Sequence, residues 1–200
     1  MTMRRIRILL WLVVGLAALA GLVIALRPIP VDAPIASSQS MTEVGGPFTL
    51  TGTDSKPFSS ERLAGKPFAL FFGFTHCPDV CPTTLARLAR LRTKLGKGDD
   101  SFAILLITVD PARDTPAEMA RYAKLFGSPV IALTGSDAAI ARVKKQYGVY
   151  SAKVPQEGGD YGVDHTASVF LIDQNGKFAA TISPNEGDDA ARAKLERLLR

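Results

Sequence analysis

The sequence predicts an α/β fold in which a mixed β-sheet is flanked by helices. Between about Phe48 and Arg200, short apolar runs typical of buried strands alternate with segments of helical periodicity. Near the C-terminus, two strand-like runs flank Asn175-Gly176, the dipeptide favoured in two-residue hairpin turns. Parallel strands need helical crossovers whereas a hairpin joins antiparallel strands, so this order requires a sheet with both kinds of pairing.

The first half of this region contains two strongly apolar strand patterns. Phe48–Thr51 and Lys56–Ser59 predict a small leading hairpin. The run Pro67–Phe74 predicts a buried strand, and the leucines at three-to-four spacing in Leu85–Leu95 predict the helix that follows it. Ala103–Val109 predicts a second buried strand.

The middle of the region carries two clear helix starts. Thr115-Pro116-Ala117-Glu118 has the pattern of a capping box with proline at the first helical position, and predicts a helix to about Leu125. Pro129–Leu133 predicts a third strand. Ser136 is then expected to cap a helix that ends near Tyr147.

The last elements are a hairpin and a helix. Val169–Ile172 and Phe178–Ile182 are its predicted strands, and an amphipathic helix through Leu195–Leu199 closes the domain. The whole order predicts a thioredoxin-like mixed sheet flanked by helices, with an extra helix-bearing insertion.

Composition excludes two broad classes of protein. Two cysteines in 200 residues cannot form the framework of a disulfide-stapled miniprotein. The net charge of +5 comes largely from Arg4, Arg5, Arg7 and Arg27 near the N-terminus. The remaining charges nearly balance, so the chain lacks the basic surface of a nucleic-acid-binding protein.

The N-terminus predicts a membrane anchor. Ile8–Leu26 contains no charged residue and would span roughly 28 Å as a helix, close to the hydrocarbon thickness of a bilayer. The arginines before it outnumber Arg27 after it, which favours a cytoplasmic N-terminus and an exported C-terminal domain. A cleaved signal peptide is the alternative, because Ala18-Leu19-Ala20 resembles a cleavage site.

Three segments are therefore expected. Residues 1–27 form a cytoplasmic tip and a single transmembrane anchor, and residues 28–46 form a Pro/Ser-rich linker. Residues 47–200 form the thioredoxin-like domain. We expect the chain to be a single-pass protein of the inner (cytoplasmic) membrane with this domain in the periplasm or an equivalent exported space. A monomer is the default expectation.

Cys77 and Cys81 follow directly after the first buried strand, where reactive groups gather in open α/β sheets. If the turn is helical, residues four apart lie on one face, which permits a shared metal ion or an internal disulfide. A disulfide closing so small a loop would add little stability. Two thiolates and one imidazole are too few for a closed zinc site and form a soft donor set that suits copper, particularly Cu(I).

The chain has two histidines. His76 adjoins Cys77 and is expected to be structural, because neighbouring residues at a helix start point in different directions. His165 precedes the strand at Val169, in a loop expected to pack against the cysteine turn, so it is the natural third ligand. A loop histidine bonded to Asp164 is the alternative, and both descriptions can hold together.

Three motifs now resemble those of a known family. Cys77-Pro78-Asp79-Val80-Cys81-Pro82, the block from Val109 to Pro116 and Asp164-His165-Thr166 together resemble the Sco/SenC/PrrC family of copper-delivery proteins. The resemblance implies that Cys77, Cys81 and His165 bind one copper ion, as Cu(I), Cu(II) or both. It also implies that the protein serves assembly of the binuclear copper site of cytochrome c oxidase subunit II.

The resemblance suggests supporting roles for other residues. Asp110 would support the site or dock a partner, although a loop ending in a helix cap explains that block equally well. Asp164 and Tyr161 are further candidates for such roles. Tyr161 and nearby glycines are expected in a long loop that could move His165 on and off the metal, and a merely flexible insertion is an equal alternative.

Two other functions stay open on the residues alone. A thiol-disulfide reductase would use Cys77 and Cys81 to keep the acceptor's cysteines reduced, and a redox or copper sensor would use the same dithiol. Whether the protein is an enzyme is therefore undecided. A periplasmic copper donor or a thiol reductant would be an additional partner.

Overall fold

The computed structural model describes residues 11, 12 and 44–200. In this part of the chain, no helix combines the length and apolar character needed to cross a membrane. The predicted anchor lies outside the described residues except for Trp11 and Leu12, which are helical. The predicted linker lies outside them up to residue 43.

The described domain contains nine strands and four α-helices. The strands are β1 (Thr49–Gly52), β2 (Pro57–Ser59), β3 (Phe68–Gly73), β4 (Ala103–Thr108), β5 (Val130–Thr134), β6 (Ser151–Pro155), β7 (Tyr161–His165), β8 (Val169–Ile172) and β9 (Phe178–Ile182). The helices are α1 (Val80–Lys94), α2 (Pro116–Ala123), α3 (Asp137–Tyr147) and α4 (Asp188–Leu198).

Seven strands form one mixed sheet in the order β2-β1-β5-β4-β3-β8-β9. The neighbouring strands β3, β4 and β5 are parallel, whereas β1 and β8 run antiparallel to β5 and β3. The predicted mixed thioredoxin-like sheet is therefore confirmed. Every residue of β3 and β4 is buried, which explains why both read as continuous apolar runs instead of alternating ones.

The predicted helix starts are confirmed by their caps. The side chain of Ser136 accepts a hydrogen bond from the backbone amide of Ala139, and that of Thr115 accepts one from the amide of Glu118. The Thr115 amide donates to the carbonyl of Arg113. Only the serine/threonine half of the predicted capping box is thus formed.

The expected long loop before His165 is wrong in one respect. Strands β6 and β7 pair antiparallel as a separate two-stranded sheet, with Ser151 opposite His165 and Pro155 opposite Tyr161. A short 3-10 turn, Glu157–Gly159, lies between the two strands. His165 is the last residue of β7, so the hairpin's pairing fixes its backbone.

Candidate metal centre

The two cysteines lie where the central strand β3 gives way to α1. Cys81, the second residue of α1, is fully buried, and Cys77 in the preceding turn is half-buried. The backbone amide of Cys81 donates to Sγ of Cys77 across 3.4 Å. Both are free thiols. The helical turn thus points the two sulfurs to one place. The sulfur of Cys77 lies near the surface, and that of Cys81 lies in the core.

His165 reaches this pair from the β6–β7 hairpin. Its Nε2 lies 3.6 Å from Sγ of Cys81, and its Nδ1 lies 3.0 Å from the backbone carbonyl of Thr166. Because a carbonyl oxygen can only accept, Nδ1 is the donor and Nε2 turns its lone pair toward the sulfur. This is the tautomer that a metal ligand needs.

Aromatic rings fix the orientation of this imidazole. Phe71 and Phe74 meet the ring of His165 edge to face, with centroids 5.9 and 5.8 Å away. Phe71 lies within β3 and is fully buried, so the strand that leads into the cysteine turn also supports the histidine. The carbonyl of Thr166, and not the predicted neighbour Asp164, holds the distal nitrogen.

The two thiols differ in acidity. A hydrogen bond from the Cys81 side chain is the main influence that lowers the pKa of Cys77 to about 4, while burial opposes it; hydrogen bonds from the backbone of Cys81 and Asp79 add to the lowering. The same shared proton, together with burial, raises the pKa of Cys81 above its ordinary value. At neutral pH the site is therefore a thiolate at Cys77 beside a protonated Cys81.

This hydrogen-bonded arrangement is not a finished metal cluster. Within residues 11, 12 and 44–200, no three His, Cys, Asp or Glu side chains stand in the geometry of a metal site. The three donors are nevertheless neighbours, with Nε2 of His165 3.6 Å from Sγ of Cys81, and the raised pKa of Cys81 keeps its proton on the sulfur. Their chemistry, two sulfurs and an imidazole lone pair, fits a soft, low-coordinate ion once that proton leaves.

Asp110 and Tyr161, both predicted from the sequence, contact each other. Asp110 is buried at the end of β4 and accepts from the hydroxyl of Tyr161 at 2.9 Å. It also pairs with Nε of Arg113, whose Nη1 donates to the Tyr161 carbonyl at 3.0 Å. Neither Asp110 nor Tyr161 is hydrogen-bonded to the three donors, so their supporting role stays a prediction.

Asp114 is a site residue that sequence reasoning missed. Its carboxylate is fully buried and accepts from the amide of Thr75 at 3.1 Å and from the hydroxyls of Thr75 and Thr108, each at 2.6 Å. Thr75 precedes Cys77 by two residues, so Asp114 anchors the start of the cysteine turn. An aspartate just before a helix cap gives no local sign of burial, because its partners come from the cysteine turn and from the end of β4.

Two predicted residues lie apart from the donors. His76 is exposed, with Nδ1 3.1 Å from the hydroxyl of Thr75, which agrees with a structural role. Asp164 is exposed next to His165 on β7, and adjacent strand residues face opposite sides. Asp164 is therefore on the outer side of the hairpin, where a docking role stays a prediction.

Comparison with known proteins decides the family. The sequence profile described as SCO1/SenC matches residues 36–200. The chain belongs to the SCO1/SenC family. Mitochondrial SCO2 of Saccharomyces cerevisiae is 39% identical over 155 residues, which are 76% of this chain and 52% of the yeast protein. The chain thus spans about half the length of that relative.

Solved structures give the same assignment. Bradyrhizobium japonicum ScoI, solved with copper bound, is 42% identical and gives a TM-score of 0.70 over 78% of this chain and 99% of the other. BsSco gives a TM-score of 0.61 at 27% identity, over 78% of this chain and 93% of its own. The BsSco structure is described as showing a disulfide switch in a member of the Sco family of cytochrome c oxidase assembly proteins.

Proposed function

We propose that this protein binds one copper ion through Cys77, Cys81 and His165 and delivers it to the binuclear copper site of cytochrome c oxidase subunit II. One observation carries the proposal. The lone pair of His165 Nε2 points at Cys81 Sγ, which lies one helical turn from Cys77. Membership of a family with a copper-bound relative supports copper as the ion.

The unequal acidity of the two thiols suggests how copper enters. Cys77 is half-exposed and already a thiolate at neutral pH, so it makes the first bond to the ion. Bond formation at Cys81 displaces its proton, and the lone pair of His165 completes a three-ligand site. Bound copper supplies no chemistry of its own in this scheme, because it is the cargo.

Release follows from the same asymmetry. Cys77 and His165 are reachable from solvent, whereas Cys81 is fully buried. Thiolates of an acceptor site would replace the outer ligands first, and the proton returning to Cys81 restores the metal-free site. The proposal includes anchoring by residues 8–26 with the domain exported, which rests on the apolar run and its flanking arginines.

Metal stoichiometry of the reduced domain tests the ligand set. We expect one copper per chain in the wild type and a clear loss in Cys77→Ser, Cys81→Ser and His165→Ala. His76→Ala is the matched control, because it removes the other imidazole next to Cys77 and should leave binding intact. Copper binding that survives in His165→Ala but not in His76→Ala would overturn the assignment.

A second candidate, a thiol-disulfide reductase, is favoured by the low pKa of Cys77 beside a buried partner thiol. In that function Cys77 attacks the disulfide of a substrate, and Cys81 then resolves the mixed disulfide. His165 separates the two functions. Reductase activity should persist in His165→Ala, whereas copper delivery should be lost.

A further inference from the structure

The β6–β7 hairpin has few means of holding its position. It forms its own two-stranded sheet and makes no ladder with the seven-stranded sheet. Three of the five residues of β6 are exposed, and of β7 only Val163 is buried. Because backbone pairing does not dock the hairpin, side-chain contacts must determine where His165 lies relative to the cysteines.

Val163 packs into the core and Lys144 donates to Ser151, and a further set of contacts runs through Arg113 in the loop between β4 and α2. Its Nη1 donates to the carbonyl of Tyr161 and to the carboxylate of Asp160, both at 3.0 Å. Its Cζ lies 3.8 Å from the centroid of the Tyr161 ring, within the range of a cation–π interaction. One guanidinium therefore contacts the backbone carbonyl and the ring of Tyr161 and the carboxylate of Asp160 at the start of β7.

Arg113 is itself held from the core. Its Nε pairs with the fully buried carboxylate of Asp110, which also accepts from the Tyr161 hydroxyl. The Arg113 side chain is only 18% exposed, so these charged hydrogen bonds are largely shielded from water. Asp114 in the same loop anchors the cysteine turn through Thr75. One loop thus contacts both segments that carry the donors, the cysteine turn and the β6–β7 hairpin.

We propose that Arg113 is a positioning residue that clamps the β6–β7 hairpin and so holds His165 against the cysteine turn. This inference rests on the proposed copper function, in which His165 is the third ligand. Arg113 contacts Tyr161 at the first residue of β7, whereas His165 is the last residue of that strand, so Arg113 acts on His165 through the strand. The clamp sets how often the imidazole leaves the two sulfurs, and therefore how fast copper is released.

Hydrogen exchange of the metal-free protein tests the clamp without copper. Arg113→Ala should raise amide exchange in Tyr161–His165 by about tenfold or more, with β3 and β4 unchanged. Arg113→Lys keeps the charge but not the forked contacts, so it should lie between the wild type and Arg113→Ala. Arg121→Ala is the matched control, because this exposed arginine on α2 forms an ion pair with Glu118 and, among residues 44–200, with no other carboxylate.

Copper release provides the second readout. Arg113→Ala should speed loss of copper to a chelator, whereas Arg121→Ala should release copper at the wild-type rate. Should Arg113→Ala fail to fold, Tyr161→Phe, which removes only the hydroxyl bond to Asp110, should still raise hairpin exchange by a smaller factor. Unchanged hairpin exchange, or exchange raised uniformly through the sheet, would overturn the clamp.

The two proposals fail separately. A wild-type protein that binds no copper, with hairpin exchange still accelerated in Arg113→Ala, would overturn the copper function and support the positioning of His165. Normal copper binding with normal hairpin exchange and release in Arg113→Ala would overturn the clamp alone.

Discussion

Gly73 ends β3 directly behind the cysteine turn, and Gly73→Ala tests how tightly the buried thiol is packed. A methyl group there would lie 2.8 Å from Cε1 of Phe71, 3.0 Å from Sγ of Cys81 and 3.3 Å from Cδ1 of Leu106. All three are buried. The added carbon therefore presses on one donor sulfur and on the ring that supports His165.

The size of the effect follows from these distances. Ordinary contacts of a Cβ begin at 3.4 Å, so Phe71 and Cys81 must both shift within a packed core. Overpacking of this kind costs about 1–3 kcal/mol, against a gain of about 0.4–1 kcal/mol because alanine restricts the unfolded chain. We expect a net loss of about 1–2 kcal/mol, and a Tm lower by about 2–8 °C.

Gly135→Ala is the matched control, because Gly135 follows β5 at the same end of the sheet. Its methyl group would lie 3.3 Å from Cδ2 of Leu50, the end of a flexible side chain, and 3.6 Å from Cβ of Ala139. We expect its unfolding free energy to stay within about 0.5 kcal/mol of the wild type.

Thermal unfolding of the metal-free proteins and competition for copper with a chelator are the two assays. Gly73→Ala should unfold at lower temperature and bind copper about tenfold more weakly, because a displaced sulfur no longer meets the other two donors. Gly135→Ala should match the wild type in both. Equal Tm and equal copper affinity for the two variants would refute the tight packing described around Cys81.

Three further predictions concern reactivity and stability. The alkylation rate of Cys77 should be constant between about pH 8 and about pH 6 and fall only near its pKa of about 4, while buried Cys81 should react slowly. Peptide mass spectrometry measures the rates of both cysteines, and a midpoint near 9 for Cys77 would contradict the low pKa. Asp114→Asn should cost about 1–3 kcal/mol in denaturant unfolding and weaken copper binding, because its bonds to Thr75 are disturbed; an unchanged midpoint would argue against this anchor. Arg92→Met should cost about 2–4 kcal/mol, since the buried guanidinium donates to two backbone carbonyls, with copper stoichiometry preserved; a loss of copper would contradict a purely structural role.

The sheet could be predicted from sequence because the patterns that indicate its strands lie within the strands themselves. The buried strands β3 and β4 are unbroken apolar runs, and Ser136 marks the start of α3 with a cap. The turn at Asn175-Gly176 joins β8 and β9 at the predicted place, with Gly176 at positive φ, but the connection spans residues 173–177 and is longer than the predicted two-residue turn. Each of these signals lies within a few residues of the element that it predicts.

The β6–β7 hairpin could not be predicted in this way. The strand Ser151–Pro155 carries only a short alternation, with Ala152 and Val154 as its apolar positions, ends in proline and is mostly exposed. Its partner strand is identifiable only through pairing and through the contacts of Arg113 with Tyr161, which join residues 48 apart in the chain. A segment that is positioned by distant side chains carries little local periodicity.

The candidate donors differ in how far the sequence alone predicts them. The place of Cys77 and Cys81 after β3 and their spacing predict them as donors, whereas His165 is predicted from its place before β8. The structure brings Nε2 of His165 to Sγ of Cys81, and its ligand role stays a prediction. Asp114 was overlooked because burial of a carboxylate depends on Thr75 and Thr108, which no local pattern connects to it.

The contact between Cys81 and His165 joins residues 84 apart in the chain. An unfolded chain therefore offers the two sulfurs as a pair but never the imidazole beside them. On the proposed ligand set, a polypeptide that has not yet folded cannot bind copper in the final geometry. Copper binding by all three ligands then requires a folded domain, so only folded molecules can receive and deliver the ion.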